Sequence, residues 1–150
     1  ITSSYIPKHL KKIVNLYHEK VCMSEFQSRI CTFYNQLPNI SPDFIYLDGP
    51  DIYNVKENIR GRSTRHPDSV PMSADILAIE HFLLPGTMIL IDGRTANARF
   101  LKNNFQRNWS YFHDREDDVH YFEMLEMPLG EFNKKQIEYC LGSDWYKKLN

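Results

Sequence analysis

The sequence predicts an α/β fold with a Rossmann-like, mostly parallel sheet that ends in a C-terminal antiparallel hairpin. Three observations support this class: two short apolar runs that each end in Asp-Gly, a helical pattern between them, and two later segments that flank an acidic turn. An unbroken apolar run bounded by turn residues is typical of a strand covered on both faces. Strand, helix and strand in succession form a βαβ unit, whose strands pair in parallel.

The first third of the chain predicts one helix and at least one strand. Pro7 suits the first turn of a helix, and apolar residues recur around it at helical spacing. This stripe comprises Ile6, Leu10, Ile13, Val14 and Tyr17. The following "KVCMSEF" favours a short strand, and "SRICTFYNQL" is ambiguous, with a second strand as one interpretation.

The middle third carries the βαβ unit. Residues 44–47 and 88–91 are the two apolar runs, and "MSADILAIEHFLLPG" between them predicts a helix that a Pro-Gly step ends. Ser73 is the expected N-cap, and Asp75 lies in the first turn, where an acidic side chain is favourable. The inward stripe of this helix comprises Ile76, Ile79 and Leu83.

The last third predicts a helix, a hairpin and a short C-terminal helix. "TANARFLKNNFQRNW" has a helical pattern, with Ala98, Leu101 and Phe105 facing inward. "WSYFHDREDDVHYFEML" predicts two antiparallel strands around the acidic turn at residues 114–118. The tail "NKKQIEYCLGSDWYKKLN" predicts a further short helix.

The composition is that of one globular domain, residues 1–150. The net charge of −1 gives no overall attraction to nucleic acid or to a membrane surface. No apolar stretch approaches the roughly 20 residues that span a bilayer. The three cysteines lack a Cys-x-x-Cys spacing, so reduced thiols in a cytoplasmic protein are the simplest interpretation. The chain begins with Ile, which indicates that residues were removed before Ile1 or that upstream residues exist.

Asp48 and Asp92 come directly after the two apolar runs. Ligands of open parallel sheets bind beyond the carboxyl ends of the strands. If the two strands are neighbours, about 4.8 Å apart, both carboxylates overlook one crevice, and Gly49 and Gly93 let the backbone turn there. Paired carboxylates hold a divalent metal, accept hydrogen bonds from a ligand or act as a base. The alternative interpretation is that each Asp caps the turn that follows it.

Basic residues cluster in the loop "NIRGRSTRHPDS" and after the second apolar run. The arginines of this cluster are Arg60, Arg62, Arg65, Arg94 and Arg99. Arginine forks suit carboxylate or phosphate groups, so the cluster is a candidate clamp for an anionic acceptor. The alternative is a solvated loop that balances nearby acidic residues.

Among the six histidines, His66 is the best candidate for a general base, because its loop overlooks the predicted crevice. His113 and His120 flank the predicted hairpin turn and can approach each other across it. No cysteine accompanies them and no carboxylate stands at a clear ligand spacing, so the sequence does not predict a zinc site.

"PDFIYLDGPD", the helix after it and "LLPGTMILIDGRTANARFLKNNF" resemble the fourth and fifth strands of class I S-adenosylmethionine-dependent methyltransferases. The hairpin is similar to the sixth and seventh strands of that family, which form the antiparallel end of its sheet. The resemblance covers the chain from about Pro42 onward. It implies that the complete protein transfers a methyl group from S-adenosylmethionine to an oxygen or nitrogen of a small acceptor, including an anionic one.

The resemblance also implies roles for particular residues. Asp48 or His66 would be the base, and Asp92 would position the reacting groups or a linked metal. The implied catalytic residues are Asp48, His66 and Asp92. The implied cofactor contacts are Ser4, Asp48 and Gly49. The implied acceptor contacts are Arg60, Arg62, Arg65 and Arg94.

Metal-dependent O-methyltransferases of this fold hold magnesium with an Asp after the fourth strand and a pair of ligands after the fifth. Asp48 and Asp92 match two of these ligands by position. Gly93 replaces the third, and Asn97, one turn further on, is the candidate substitute. The resemblance therefore implies a magnesium site formed by Asp48, Asp92 and Asn97.

The chain also departs from the family pattern. Its six glycines include no Gly-x-Gly, the signature of the cofactor loop that follows the first strand of the family. If "ITSSY" is the second strand, Ser3 or Ser4 stands near the place of the ribose-binding acid. We therefore expect this chain to be the last two-thirds of a methyltransferase-like domain that lacks its first strand-helix unit.

Two other functions remain open from the sequence. The first is a non-catalytic α/β module for interaction or assembly, which the missing glycine loop favours. The second is metal-assisted chemistry at a phosphate ester, with Asp48, Asp51 and Asp92 as ligands. The expected partner is a small-molecule acceptor and not nucleic acid or a membrane, and a homo-oligomer is compatible with the sequence.

Overall fold

The structure is a computed structural model that describes residues 2–64 and 70–149. It is a mixed α/β fold with four α-helices and seven strands among these residues. The helices are α1 (Thr2–Tyr5), α2 (Asp75–Ile79), α3 (Thr95–Lys102) and α4 (Glu131–Leu141). The strands are β1 (Val21–Phe26), β2 (Arg29–Tyr34), β3 (Phe44–Leu47), β4 (Val55–Lys56), β5 (Met88–Asp92), β6 (Trp109–Asp114) and β7 (Val119–Met124). Short 3-10 segments follow α2 and α4, at Glu80–Phe82 and Ser143–Leu149.

The four-stranded sheet has the order β3-β5-β7-β6. β3 and β5 are parallel neighbours, with Leu47 opposite Ile91, as the βαβ prediction requires. β5 then pairs with β7, and β7 with β6, both antiparallel, which confirms the predicted hairpin. One face of this sheet is buried: Ile45 and Leu47 of β3 and the residues opposite them on β5 pack into the main core, together with Phe122 of β7.

The second sheet has three strands in the order β2-β1-β4. The ambiguous "SRICTFYNQL" contains β2, which forms an antiparallel hairpin with β1 through Gln27 and Ser28, both at positive φ. The two-residue β4, which the sequence did not predict, adds to β1 in parallel. Both sheets therefore contain parallel and antiparallel pairs, which corrects the prediction of a mostly parallel sheet. The physical reason in the second sheet is the two-residue turn between β1 and β2, because strands joined by so short a turn pair antiparallel.

The predicted helix after Pro7 is not formed. A short helix precedes it at Thr2–Tyr5, and residues 8–13 form turns. Ile6 and Leu10 of the predicted stripe are half-buried, but Ile13 and Tyr17 are 74% and 64% exposed, so the second half of the stripe is not packed against the core. A short helix in water is marginal without tertiary packing, which explains why the apolar spacing was misleading here.

The segment Met72 to Ala74 connects the two sheets. The N–H of Thr32 in β2 donates to the carbonyl oxygen of Met72, and the N–H of Ala74 donates to the carbonyl oxygen of Thr32. On the other side, the side-chain amide of Asn97 in α3 hydrogen-bonds to the N–H and the carbonyl oxygen of Ser73. The predicted N-cap at Ser73 is wrong: α2 begins at Asp75 after Ala74, without a side-chain cap bond. The hydroxyl of Ser73 instead donates to the carboxylate of Asp75.

The main core is aliphatic and aromatic, and it lies between the four-stranded sheet and the helices α2 and α3. Ala98 and Leu101 of α3 are fully buried, as predicted, and Phe105 packs against the core from its edge. Among the described residues, none of the helices is long and apolar enough to cross a membrane.

Candidate functional site

Asp48 and Asp92 lie at the same edge of the four-stranded sheet. Asp92 is the last residue of β5, and Asp48 directly follows β3, whose last residue is paired with Ile91. The predicted geometry of two acids at the carboxyl ends of neighbouring parallel strands is therefore confirmed. The side chain of Asp48 is exposed and that of Asp92 is half-buried.

Tyr46 connects this edge to Asp92. Its hydroxyl donates to Oδ2 of Asp92 at 2.5 Å, across the parallel strand pair. This hydrogen bond, reinforced by the charges of Asp92 and Asp48, raises the pKa of Tyr46 to about 12. The phenol is therefore a hydrogen-bond donor at neutral pH, and Asp92 is its charged acceptor.

An apolar cleft of about 540 Å³ runs along the free edge of β3. Asp48 lines this β3 cleft, and Asp92 does not. Asp92 is connected to the cleft by the hydrogen bond that it accepts from Tyr46, which is a lining residue. Small-molecule sites are typically apolar clefts of this size with a few convergent polar groups. The lining residues of the β3 cleft are Tyr34, Leu37, Pro38, Ile40, Pro42, Phe44, Ile45, Tyr46, Leu47, Asp48, Gly49, Ser73, Asp75, Ile76 and Ile79.

The polar end of the β3 cleft is built by Tyr34, Asp75 and the turn after β3. Asp75 is buried and accepts from the backbone N–H of Tyr34 at 3.0 Å and from the Ser73 hydroxyl at 2.9 Å. Burial raises the pKa of Asp75, and these two hydrogen bonds oppose the rise. A Cβ at Gly49 would lie 3.3 Å from the Tyr34 hydroxyl, so glycine allows the turn to approach this ring closely.

Arg94 joins the loops on either side of the cleft mouth. Its Nη2 donates to the carbonyl oxygen of Pro50 at 2.9 Å and to that of Pro71 at 3.5 Å. Burial lowers the pKa of Arg94, and the charges of Asp48 and Asp51 oppose that change. Arg94 therefore shapes the turn behind Asp48, and its contact with an acceptor stays a prediction.

The other arginines do not converge on Asp48. Arg60 pairs with Glu25 at 3.2 Å on an exposed surface. Arg62 lines a separate cleft of about 550 Å³ beside β2, together with Arg29. The predicted single clamp is therefore not assembled by the arginines that the structure describes. Arg65 and His66, predicted as an acceptor contact and a base, lie outside the described residues.

Two further predictions are corrected by the geometry. Ser4 lies in α1 and not at the end of a strand, so "ITSSY" does not form the expected second strand. Asn97 is fully buried, with its amide oxygen accepting from Ser73 N at 2.9 Å and its amide nitrogen donating to Ser73 O at 3.2 Å. Asn97 is thus committed to the main chain of a neighbouring segment and does not serve as a third ligand.

The remaining carboxylates fit a magnesium ion poorly. Hard cations of this kind take about six oxygen ligands, whereas Asp92 is engaged by the Tyr46 hydroxyl and Asp48 stands in the field of the Arg94 guanidinium. Asp51, considered for a metal-dependent phosphate reaction, accepts from the backbone N–H of Tyr53 at 2.7 Å and so caps its own turn. The described residues at this edge therefore do not assemble the set of oxygen ligands that a magnesium ion takes.

Tyr46, Tyr34 and Asp75 are the site residues that sequence reasoning missed. Tyr46 carried a signal, because side chains two apart in a strand share a face, and in the parallel register this places Tyr46 beside Asp92. No sequence pattern indicated that Tyr34 and Asp75 belong to the site, because their contact joins β2 to the start of α2 across 41 residues of sequence.

Comparison with protein-family models, with curated protein sequences and with solved structures found no match for this chain.

Proposed function

We propose that this chain belongs to an S-adenosylmethionine-dependent methyltransferase-like domain, with Rossmann-like strand organisation, acting in the cytoplasm on an oxygen or nitrogen of a small acceptor. The observation that carries the proposal is the pair of parallel neighbours β3 and β5, whose terminal acids Asp48 and Asp92 meet at one edge beside an apolar cleft. The antiparallel pairings of β7 with β5 and β6 on the other side of the same sheet are further support.

The proposed roles follow from the protonation and contacts of each side chain. When bound, S-adenosylmethionine supplies an electrophilic methyl group on a sulfonium ion. Methyl transfer then needs in-line positioning and removal of a proton from the acceptor. Asp48 is exposed at the end of the β3 cleft and carries the basic oxygen. The Tyr46 hydroxyl donates its single proton to Asp92, so its oxygen is free to accept a hydrogen bond from the acceptor, and this pair positions the acceptor and does not remove its proton.

Calorimetric titration of S-adenosylhomocysteine tests this function. It is carried out on the 150-residue chain and on the longest natural form of the protein. We expect binding with a stoichiometry of one in at least the longest form. Asp48→Asn should weaken it about 10- to 150-fold, because a hydrogen bond to a charged group contributes about 1.5–3 kcal/mol.

Asp144→Asn is the matched control, since Asp144 is exposed and pairs only with Lys147 in its own 3-10 segment. Its affinity should equal that of the wild type. Equal affinities of wild type and Asp48→Asn would contradict the proposed site, and absence of binding in both forms would contradict the proposed function.

A non-catalytic interaction module is the second candidate. β3 is an edge strand of its sheet, and Phe44 and Tyr46 on it are each 53% exposed. Ile40, in the segment before β3, is 65% exposed. Exposed apolar patches and free strand edges are common in interaction surfaces. Absence of S-adenosylhomocysteine binding in both forms of the protein favours this candidate.

A further inference from the structure

We propose that His113, Asp118 and His120 form a binding site for one divalent transition-metal ion of the Zn²⁺ class. This inference goes beyond the proposed function and does not depend on it. Among the described residues, the ligand atoms of these three side chains all lie within 4.8 Å of one another.

The hairpin register brings the two imidazoles together. His113 of β6 is directly opposite His120 of β7, and their rings stack with centroids 3.9 Å apart. His120 is fully buried, whereas the side chain of His113 is 23% exposed. One ligand is therefore fixed in the fold and the other borders solvent, through which an ion can enter.

The hairpin turn supplies the carboxylate. Asp118 has a φ of 50°, in the left-handed region, and its carbonyl oxygen accepts from the N–H of Gly93 at 3.0 Å. Its Oδ1 lies 3.2 Å from Nε2 of His113 and 3.6 Å from Nε2 of His120. The turn conformation thus directs one carboxylate oxygen at both histidines.

These separations agree with the edge of a zinc coordination tetrahedron. Zn–N and Zn–O bonds of about 2.0–2.2 Å place neighbouring ligand atoms about 3.3 Å apart. The two measured distances from Asp118 Oδ1 bracket this value. The protein therefore offers two nitrogens and one oxygen near the required spacing, and a fourth position remains for water or the Thr95 hydroxyl.

The surrounding groups orient the ligands. The Tyr111 hydroxyl lies 2.9 Å from Nδ1 of His120, which fixes the ring so that Nε2 points to Asp118. Thr95 Oγ1 lies 2.8 Å from Asp118 Oδ1 and 3.0 Å from His120 Nε2. Contacts of this kind to the second ring nitrogen and to the carboxylate are typical of metal-binding histidines.

Metal binding requires a proton shift in both imidazoles and a tilt of one ring. The Thr95 hydroxyl donates its single proton to Asp118, so His120 Nε2 carries the proton that Thr95 accepts, and His113 Nε2 carries the proton that it donates to Asp118. On binding, each of these protons moves to Nδ1 of its ring, and in His120 the Tyr111 oxygen accepts it. An ion bound to a histidine nitrogen lies in the plane of the imidazole ring, and two stacked rings cannot share one ion in this way. His113, the more exposed ligand, therefore tilts out of the stack on binding.

The mixed nitrogen and oxygen set predicts selectivity. Imidazole suits Zn²⁺, Co²⁺ and Ni²⁺, whereas Mg²⁺ and Ca²⁺ prefer sites made of oxygen ligands. We therefore expect Zn²⁺ and Co²⁺ to bind, and a large excess of Mg²⁺ not to compete.

The test is calorimetric titration of ZnCl₂ into the whole chain, paired with visible absorption of the Co²⁺ form. We expect one equivalent to bind, and the His113→Gln and Asp118→Asn variants each to bind at least tenfold more weakly. Both substitutions are at partly or fully exposed positions, so the fold should persist, which circular dichroism checks. Bound Co²⁺ should show the intense bands of a four-coordinate ion.

His81→Gln is the matched control, because His81 is exposed in the 3-10 segment Glu80–Phe82. It should bind Zn²⁺ like the wild type, and so should the Asp48→Asn/Asp92→Asn double variant. Absence of stoichiometric Zn²⁺ binding by the wild type would overturn the proposal. Unchanged affinity in His113→Gln and Asp118→Asn, or loss of affinity in either control, would overturn it as well.

Discussion

Tyr46 and Asp92 show how one hydrogen bond assigns two chemical roles. The phenol donates to the carboxylate, which keeps Tyr46 protonated and makes Asp92 its acceptor. Among the described residues, no side chain donates a comparable hydrogen bond to Asp48, although its charge acts on both Tyr46 and Arg94. At the scale of single residues, the two acids at this edge are therefore not equivalent.

Spectrophotometric titration of the tyrosines tests the pair. In the wild type, Tyr46 should ionise with a pKa of about 12, and Tyr34 should also ionise above the ordinary value because burial raises its pKa. In Asp92→Asn, Tyr46 should ionise near the ordinary value of about 10, because the carboxylate no longer favours the protonated phenol. Tyr46→Phe should remove one late-ionising tyrosine from the titration and leave that of Tyr34, and Asp144→Asn should leave both in place. Identical curves for wild type and Asp92→Asn would contradict the assignment.

Asp75 predicts a pH dependence of stability. Burial raises its pKa in the folded state, so the folded protein binds this proton more tightly than the unfolded chain does. Its contribution to the free energy of unfolding is then largest below the unfolded pKa of about 3.9, and it falls as the pH rises through the folded value. Asp75→Asn should remove this fall, since the amide oxygen still accepts from Tyr34 N–H.

Urea denaturation of both proteins across the acidic pH range measures the difference. Asp75→Ala is the companion variant and should lose about 1–3 kcal/mol at every pH, because a buried N–H and a buried hydroxyl lose their acceptor. A constant difference between wild type and Asp75→Asn across that range would show that Asp75 does not titrate as described.

At the scale of elements, β3 and β5 were predictable and the N-terminal segment was not. Four consecutive apolar residues followed by Asp-Gly predict a strand and its turn by local sequence alone. The expected cover on both faces is wrong for β3, because it is an edge strand and Phe44 and Tyr46 on its other face are each 53% exposed. The apolar residues from Ile6 to Tyr17 have helical spacing, but most of them are exposed in the structure. Spacing alone does not show whether another part of the protein packs against a helix and stabilises it. The convergence of Asp118 on two histidines was also hidden, because it depends on a left-handed residue in the turn.

The close packing of α4 against the chain just before β5 predicts a large cost for replacing Gly86. It has a φ of 86°, and a Cβ there would lie 2.9 Å from Cγ1 of Ile137, a buried residue of α4. Gly61 has a similar φ of 78° with open space around it. Gly61→Ala should cost about 1–2 kcal/mol for the backbone conformation alone, and Gly86→Ala should cost about 1–3 kcal/mol more because of the steric contact.

Denaturation midpoints of the two alanine variants separate these effects. The comparison holds the backbone strain nearly constant and changes the packing. If Gly86→Ala is no more destabilising than Gly61→Ala, the close packing of α4 against the start of β5 is incorrect.

At the scale of the whole molecule, the cleft depends on two sheets being held together. The segment Met72 to Ala74 bonds to β2 on one side and to Asn97 of α3 on the other. This link places Tyr34 of one sheet beside Asp48 and Tyr46 of the other, so the β3 cleft has walls from both. Such long-range contacts follow from tertiary packing, which is why the acids were predictable and the cleft was not.

Mapping a bound ligand onto the chain tests the central claim most directly. Proton–nitrogen correlation spectra of the longest natural form are recorded with increasing S-adenosylhomocysteine. We predict that shifted amides concentrate at residues 46–49 and 92–94, at the adjoining ends of β3 and β5. Shifts centred instead on the cleft beside β2, or no shifts at saturating ligand, would contradict a shared site at Asp48 and Asp92.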